Sequence, residues 1–248
     1  MPSRSPTFPR MTRRTFAGSL GIAWASASVG ASAEPNNCGA VDPNWPKTLT
    51  VLTDSVALVL GNPLRAALPG WSVVVRGRPA LMVNQAVSEF LAHKNVGSIV
   101  VVGLGYNSQF EKERKHAERW SALWNYRAEH LLTSLAQRGA KKVVWLTLRE
   151  PSLAVVTAKG RAQYDLYAWF FPYVNELIRG LAERHPEVVI ADWASVSNVA
   201  DVTTDLIHLN GAGSKLMSEL IARAVLGTDS CEASTRAEPK PPRTRDGS

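Results

Sequence analysis

The sequence predicts a three-layer α/β/α sandwich around a mainly parallel, five-stranded sheet. Short runs of β-branched and apolar residues alternate with longer segments of helical periodicity between about residues 48 and 226. The run SIVVV at residues 98–102 is apolar almost throughout, which is typical of a strand buried on both faces. Because strands that alternate with helices form parallel sheets covered on both sides, these two observations favour the sandwich.

Five segments carry the strand pattern and four carry the helical pattern. The predicted strands are 48–52, 71–76, 98–102, 141–148 and 187–193, and the predicted helices are 83–93, 111–138, 173–185 and 213–226. The longest helix has apolar residues at steps of three and four, and Gly139 ends it as a C-terminal cap residue would. The helix at 173–185 stops before Pro186.

Residues 1–33 have the pattern of a secretory signal peptide of the twin-arginine type. The pair Arg13-Arg14 precedes an uncharged run that ends in Ala31-Ser32-Ala33, an A-x-A cleavage site. The alternative is a membrane anchor, but the run is too short and too weakly apolar for a stable membrane span. We therefore expect export to the cell envelope or the extracellular space, with a mature chain that begins at Glu34.

The charge balance changes once the signal is removed. Residues 1–33 contain four of the 28 basic residues and none of the 21 acidic ones, so the net charge falls from +7 to +3. Nucleic-acid binding therefore loses most of its support, and we expect no nucleic-acid partner.

At the C-terminal end of the sequence, residues 232–248 are rich in proline, charge and small polar residues, which predicts a disordered tail. The remainder, 34–231, has the length of one domain, and we expect a monomer.

The two cysteines, Cys38 and Cys231, lie at the borders of this domain. In an exported protein this placement predicts a disulfide that ties the two ends together. The alternative, two free buried thiols, is disfavoured by their polar neighbours. The sequence shows no Cys/His cluster with the spacing of metal ligands, and a complete G-x-G-x-x-G fingerprint is also missing, so we expect neither a metal nor a cofactor.

A serine, a glycine, an asparagine and an Asp-x-x-His pair follow predicted strands, and the carboxyl ends of parallel strands share one edge of a sheet. They are Ser55 after the first strand, Gly77 after the second, Asn107 after the third, and Asp205 and His208 after the fifth. These residue types suit acyl transfer. A serine nucleophile needs a base such as His208, and Asp205 can orient that base. Backbone N–H groups of Ser55 and Gly77, with the Asn107 amide, can form an oxyanion hole.

Each of these residues also has a simpler interpretation when it is taken alone. Asp54-Ser55 is typical of a turn or helix cap, Asn107 of a left-handed turn residue, and His208 of an exposed side chain. Asp205 can simply cap a turn. Their joint placement at predicted strand ends favours a catalytic site.

The motifs TDSVAL, GYNS and DLIHLNGAG, in this order, resemble the SGNH (GDSL) hydrolase superfamily over essentially the whole domain. The resemblance implies a flavodoxin-like sandwich and serine esterase or acyltransferase chemistry without a metal. It also implies Ser55 as nucleophile, His208 as base and Asp205 as its orienting partner, with Gly77 and Asn107 in the oxyanion hole. Two positions depart from the usual motifs: Thr53 replaces a glycine and Ser108 replaces an aspartate.

The sequence thus predicts an exported serine hydrolase that cleaves or transfers ester-linked acyl groups. The expected substrate is a small-molecule or glycan ester, with O-acyl groups on envelope glycans as one candidate. A lipase or thioesterase is an alternative, and a catalytically silent envelope binding module of the same fold is another, which the Thr53 and Ser108 departures keep open. The aromatic segment YDLYAWFFPY at 164–173 is either a wall of the substrate cleft or, for most of its side chains, part of the core.

The predicted Cys38–Cys231 disulfide is open to a direct test. It closes a loop of nearly the whole domain, and its loss should lower the free energy of unfolding by about 4–5 kcal/mol, less any strain in the native bond. Peptide mapping of the exported protein without reduction should recover the two cysteines in one linked peptide. Two free thiols in that protein would contradict the prediction.

Overall fold

The computed structural model describes residues 41–90, 95–108, 114–150, 152, 161–199 and 201–228. The predicted signal, the predicted tail, Cys38 and Cys231 lie outside these residues, so the statements about them stay predictions. Among the described helices, none combines the length and the apolar character that crossing a membrane requires.

The sheet has five strands, and every pairing between neighbours is parallel. The strands are β1 (Thr48–Thr53), β2 (Ser72–Gly77), β3 (Ile99–Gly103), β4 (Lys142–Leu146) and β5 (Val188–Ala191). Their order across the sheet is β2-β1-β3-β4-β5. All residues of β3 and β4 are buried, as expected for central strands with helices on both faces. The predicted α/β fold is therefore confirmed, with strand ends shifted by one or two residues.

The helices form the two outer layers. They are α1 (Gly61–Ala67), α2 (Val83–Phe90), α3 (Ala117–Ala136), α4 (Arg161–Arg184), α5 (Trp193–Val196) and α6 (Gly211–Leu226). The chain moves outward from β1 to β2 and then returns past β1 to β3, so right-handed connections place α1 and α2 on opposite faces. The contacts agree with this arrangement, since α1 packs on α6, while α2 packs on α3 and α3 on α4.

The structure extends α4 well beyond the predicted helix at 173–185. The helix begins at Arg161 and continues through Pro172, a residue type that usually interrupts a helical pattern. Phe170, Phe171 and Val174 around this proline are almost fully buried, so packing against the core stabilises the helix there. The core interpretation of the aromatic segment is confirmed for Phe170 and Phe171.

The ends of β1 and β2 approach each other closely because Gly77 has no side chain. Gly77 is the register partner of Thr53, and a Cβ atom on Gly77 would fall far inside the contact distance of the Thr53 carbonyl oxygen. A glycine is thus required at the carboxyl end of β2, whatever else its N–H group does.

Replacing Gly77 with alanine should therefore destabilise the fold. Forcing a methyl group against backbone that cannot give way should lower the free energy of unfolding by about 1–3 kcal/mol or more. Gly61→Ala is the control, because the nearest atom to a Cβ on Gly61 would be a nitrogen of a flexible arginine side chain, 3.5 Å away. Glycine inside a helix is usually less stabilising than alanine, so this substitution should not lower the free energy of unfolding. Urea unfolding measures both variants. Equal stability of Gly77→Ala and the wild type would contradict the expectation.

Candidate active site

Ser55 lies in the turn that follows β1 at the carboxyl edge of the sheet. The preceding Thr53 is fully buried, and its hydroxyl donates to the carbonyl oxygens of Gly103 at 3.3 Å and of Asp54 at 3.1 Å. A Cβ atom on Gly103 would lie only 3.2 Å from this hydroxyl. Thr53 thus fits because its neighbours on both adjacent strands are glycines, which explains how the chain accommodates the first motif departure.

The side chains of Ser55, His208 and Asp205 form one chain of hydrogen bonds. The His208 Nε2 atom lies 3.0 Å from Ser55 Oγ, and the His208 Nδ1 atom lies 2.7 Å from Asp205 Oδ2. Ser55 is half-buried, whereas the His208 and Asp205 side chains are 41% and 53% exposed. The structure therefore brings together three of the predicted residues in an arrangement in which the imidazole contacts the hydroxyl on one side and the carboxylate on the other.

Asp205 is fixed by its own backbone as well as by the imidazole. Its Oδ1 atom accepts hydrogen bonds from the N–H groups of Ile207 at 2.8 Å and His208 at 2.7 Å. Partial burial raises the pKa of Asp205, but the hydrogen bonds from His208 and Ile207 outweigh it, so the pKa lies below its usual value. The carboxyl group is therefore ionised near neutral pH, as a group that stabilises an imidazolium must be.

Asn107 contacts the residue before the serine. The Asn107 Nδ2 atom donates to Asp54 Oδ2 at 3.0 Å, and the N–H of Val56 donates to Asp54 Oδ1 at 3.0 Å. Asp54 is fully buried, and this burial raises its pKa to about 7 against the lowering effect of Val56, Asn107 and the charge of His208. Asp54 thus orients the Asn107 amide, and it uses only one of the two amide hydrogens.

Ser108, the second motif departure, is also accommodated by its surroundings. The residue is buried, and its hydroxyl accepts a hydrogen bond from the indole N–H of Trp124 at 3.2 Å. A hydroxyl is a sufficient partner for that buried donor, and unlike a carboxylate it adds no buried charge there. Gly77 lies at the same edge of the sheet, in register with Thr53.

Arg149 holds the loop that carries Asp205 and His208, and sequence reasoning missed it. It lies three residues beyond β4 and is only 3% exposed. Its Nε atom donates to the Ser197 carbonyl at 3.1 Å, and its Nη1 atom donates to the Leu206 carbonyl at 3.2 Å and to the Thr203 hydroxyl. Burial lowers the pKa of Arg149, yet an arginine stays protonated throughout the range in which proteins fold.

The same loop is held at its other end by the start of α6. Thr203 and Leu209 form an antiparallel bridge, and the N–H of Thr204 donates to the His208 carbonyl at 2.8 Å. Asn210 then caps α6 by accepting from the N–H of Gly213 at 2.9 Å. His208 is therefore placed by a short closed loop with an anchor on each side.

Comparisons with known proteins identify the fold. Neither a protein-family model nor a curated protein sequence matches the chain. Among solved structures, an inhibitor-bound aryl esterase from M. smegmatis matches at 16% identity and a TM-score of 0.56, over 72% of this chain and 97% of that one. A GDSL-like lipase from Bacteroides thetaiotaomicron matches at 13% identity and 0.55, over 72% and 87%. An acetyl xylan esterase matches at 14% identity and 0.53, over 72% and 99%.

These similarities confirm the fold that the sequence resemblance implied, a parallel α/β sandwich shared with GDSL-type hydrolases. At such low identities they speak for the fold alone. The chemistry has to be argued from the side chains at the carboxyl edge of this sheet.

Replacing Arg149 with methionine should release the loop at 203–208. The change keeps much of the side-chain volume but leaves buried carbonyl groups without donors, at a cost of roughly 1–3 kcal/mol for each. Hydrogen exchange of the loop amides should accelerate more than exchange in β3 or β4. Arg179→Met is the control, because Arg179 makes an exposed ion pair with Asp192 at 3.1 Å, of a kind worth little in water. Unchanged exchange in the loop of Arg149→Met would contradict the assignment.

Proposed function

We propose that this protein is a serine hydrolase or acyltransferase that acts on carboxylic esters. The observation that carries the proposal is the hydrogen-bonded chain from Ser55 through His208 to Asp205, with distances of 3.0 and 2.7 Å. A serine hydroxyl becomes a nucleophile when a neighbouring imidazole can take its proton, and the imidazole needs a carboxylate to fix its tautomer. An intact chain of this kind also favours catalysis over the alternative of a silent binding module.

The reaction follows from these contacts. Ser55 Oγ attacks the ester carbonyl while His208 Nε2 accepts the hydroxyl proton, and Asp205 stabilises the resulting imidazolium. Collapse of the tetrahedral intermediate breaks the bond to the alcohol, which receives the proton from His208, and the acyl group remains on Ser55. In the second half of the reaction, water or an acceptor hydroxyl gives its proton to His208 and attacks the acyl carbonyl. Collapse of this intermediate breaks the bond between Ser55 Oγ and the acyl group, His208 returns the proton to Ser55, and the acid or the new ester leaves.

The oxyanion hole is proposed at the carboxyl ends of β1, β2 and β3. The N–H groups of Ser55 and Gly77 and the second amide hydrogen of Asn107 are its donors, and Asp54 holds the Asn107 amide in place. Donors fixed in advance stabilise the developing negative charge without reorganising during the reaction. The fold requirement for Gly77 is compatible with this role, because a side chain there would displace the backbone that bears the N–H group.

The substrate class is proposed as acyl groups on hydroxyls of small molecules or glycans. Structures of this fold carry the names aryl esterase and acetyl xylan esterase, which supports short acyl groups on aromatic or sugar alcohols. The predicted export signal supports a substrate in the cell envelope, such as O-acyl groups on its glycans. A GDSL-like lipase of the same fold keeps lipid esters as the second candidate.

Labelling by a fluorophosphonate probe tests the nucleophile. The wild type should react covalently with the probe and turn over p-nitrophenyl acetate, whereas Ser55→Ala should do neither and should unfold at the same temperature. Ser88→Ala, which removes an exposed hydroxyl on α2, is the matched control and should behave as the wild type does. Ester turnover by Ser55→Ala at the wild-type rate would refute the proposed function.

Asn107→Ala tests the oxyanion hole separately from the nucleophile. The variant should lower kcat by roughly 10²–10³, equivalent to about 2.7–4 kcal/mol of transition-state stabilisation. KM should change little, because this hydrogen bond strengthens mainly in the transition state. Steady-state kinetics on the best p-nitrophenyl ester measure both constants, and probe labelling should slow but persist. An unchanged kcat would remove Asn107 from the site.

A further inference from the structure

A cleft of about 790 Å³ opens between the first turn of α3 and the middle of α4. Its lining includes Trp169, Pro172, Tyr173 and Glu176 from α4 and Glu118 from α3. Small-molecule sites in proteins usually enclose about 300–1,000 Å³, so the cleft is large enough for a ligand of several rings. The hydrogen-bonded chain of Ser55, His208 and Asp205 contributes nothing to its lining.

The cleft lies on the side of the molecule that carries the candidate active site. The first turn of α3 follows the loop that leaves the carboxyl end of β3. Inside the fold, Phe171 of α4 packs edge-on against Tyr106 with ring centres 5.1 Å apart, and Tyr106 directly precedes Asn107. The helix that forms one wall of the cleft therefore also packs against the segment that bears Asn107.

Two aromatic rings in the cleft are half-buried and held by their neighbours. Trp169 packs edge-on against Phe170 with ring centres 5.6 Å apart, and Tyr173 packs edge-on against Trp120 at 5.2 Å. Rings fixed in this way lose little conformational entropy when a ligand stacks on them. The cleft thus offers two aromatic rings of fixed orientation that are partly exposed to solvent.

Both charged side chains that α3 and α4 contribute to the described lining of the cleft are hydrogen-bond acceptors, and Trp169 and Tyr173 can also donate. Glu118 and Glu176 are exposed and present carboxylates. Pro172 has no N–H group, so it cannot supply the helical hydrogen bond to the carbonyl of Ala168, which also lines the cleft. A ligand that satisfies these acceptors must bring hydroxyl or N–H donors.

We propose that this cleft binds a neutral oligosaccharide. A sugar ring presents an apolar C–H face to an aromatic ring and hydroxyl donors around its edge, which matches the stacked rings and the acceptors. A fatty acyl chain does not fit, because it would take water away from two carboxylates without replacing their hydrogen bonds. An anionic ligand would meet the carboxylates of Glu118 and Glu176, and among the described lining residues Lys115 alone is basic. As the site that holds the glycan part of an acylated substrate, the cleft rests on the proposed function, but its binding does not require Ser55.

Calorimetric titration of the full-length Ser55→Ala protein with xylotetraose and with chitotetraose tests the proposal. At least one of these neutral sugars should bind saturably. Trp169→Ala should weaken that binding about tenfold, equivalent to about 1.4 kcal/mol, because the stacked ring is lost. Glu176→Gln, a change at an exposed side chain, keeps the test independent of folding and should also weaken binding. Tyr126→Ala is the control, because Tyr126 is a 69% exposed ring elsewhere on α3, and it should bind as the parent does.

Kinetics with the wild-type serine separate this proposal from the proposed function. Trp169→Ala should keep kcat/KM for p-nitrophenyl acetate and should lower it about tenfold for acetylated xylotetraose. Wild-type protein that cleaves p-nitrophenyl acetate while Ser55→Ala binds neither sugar would overturn the cleft assignment alone. So would tighter binding of choline or decanoate than of both sugars, or equal losses in Trp169→Ala and Tyr126→Ala. If the wild type binds a sugar but turns over no ester, the proposed function is refuted and the assignment of the cleft as a sugar site stands.

Discussion

Thr53 lies between two glycines at the carboxyl edge of the sheet, with its carbonyl oxygen against Gly77 and its hydroxyl on the carbonyl of Gly103. This contact sets how closely the ends of β1, β2 and β3 approach, and the chain enters the turn of Ser55 directly from it. The nucleophile and the proposed oxyanion donors all belong to residues at, or a few positions after, the carboxyl ends of β1, β2 and β3. The positions of the nucleophile and its oxyanion donors therefore depend on backbone packing that only glycines on both sides allow.

Two buried ionisable groups complete the arrangement, one at the turn of Ser55 and one at the loop of His208. Asp54 ties the turn after β1 to Asn107, and Arg149 ties the end of β4 to the loop of His208. Burying such groups costs free energy unless each is well hydrogen-bonded, and here each contacts several partners. Their value lies in fixing geometry, since a serine and an imidazole in hydrogen-bond contact tolerate little displacement before proton transfer slows.

Sequence patterns were sufficient for the sheet and for the residues around Ser55, because strand periodicity and the polar residues after each strand are local signals. Arg149 had no such signal: it follows a strand as an ordinary arginine, and only the folded loop brings carbonyl groups to it. The length of α4 was also hidden, since Pro172 breaks the helical pattern while the burial of Phe170 and Phe171 maintains the helix. Both omissions concern contacts made by the tertiary structure, which override local preference.

The hydrogen bond between Ser55 and His208 joins residues 153 positions apart, from the turn after the first strand and from the loop before the last helix. Contacts of this separation form late, because much of the chain must order before they repay the entropy of closing the intervening segment. A nascent or truncated chain that lacks the last loop holds the serine without its base. Such an intermediate should be chemically inert toward esters, so the reactivity of the serine reports that folding has reached its end.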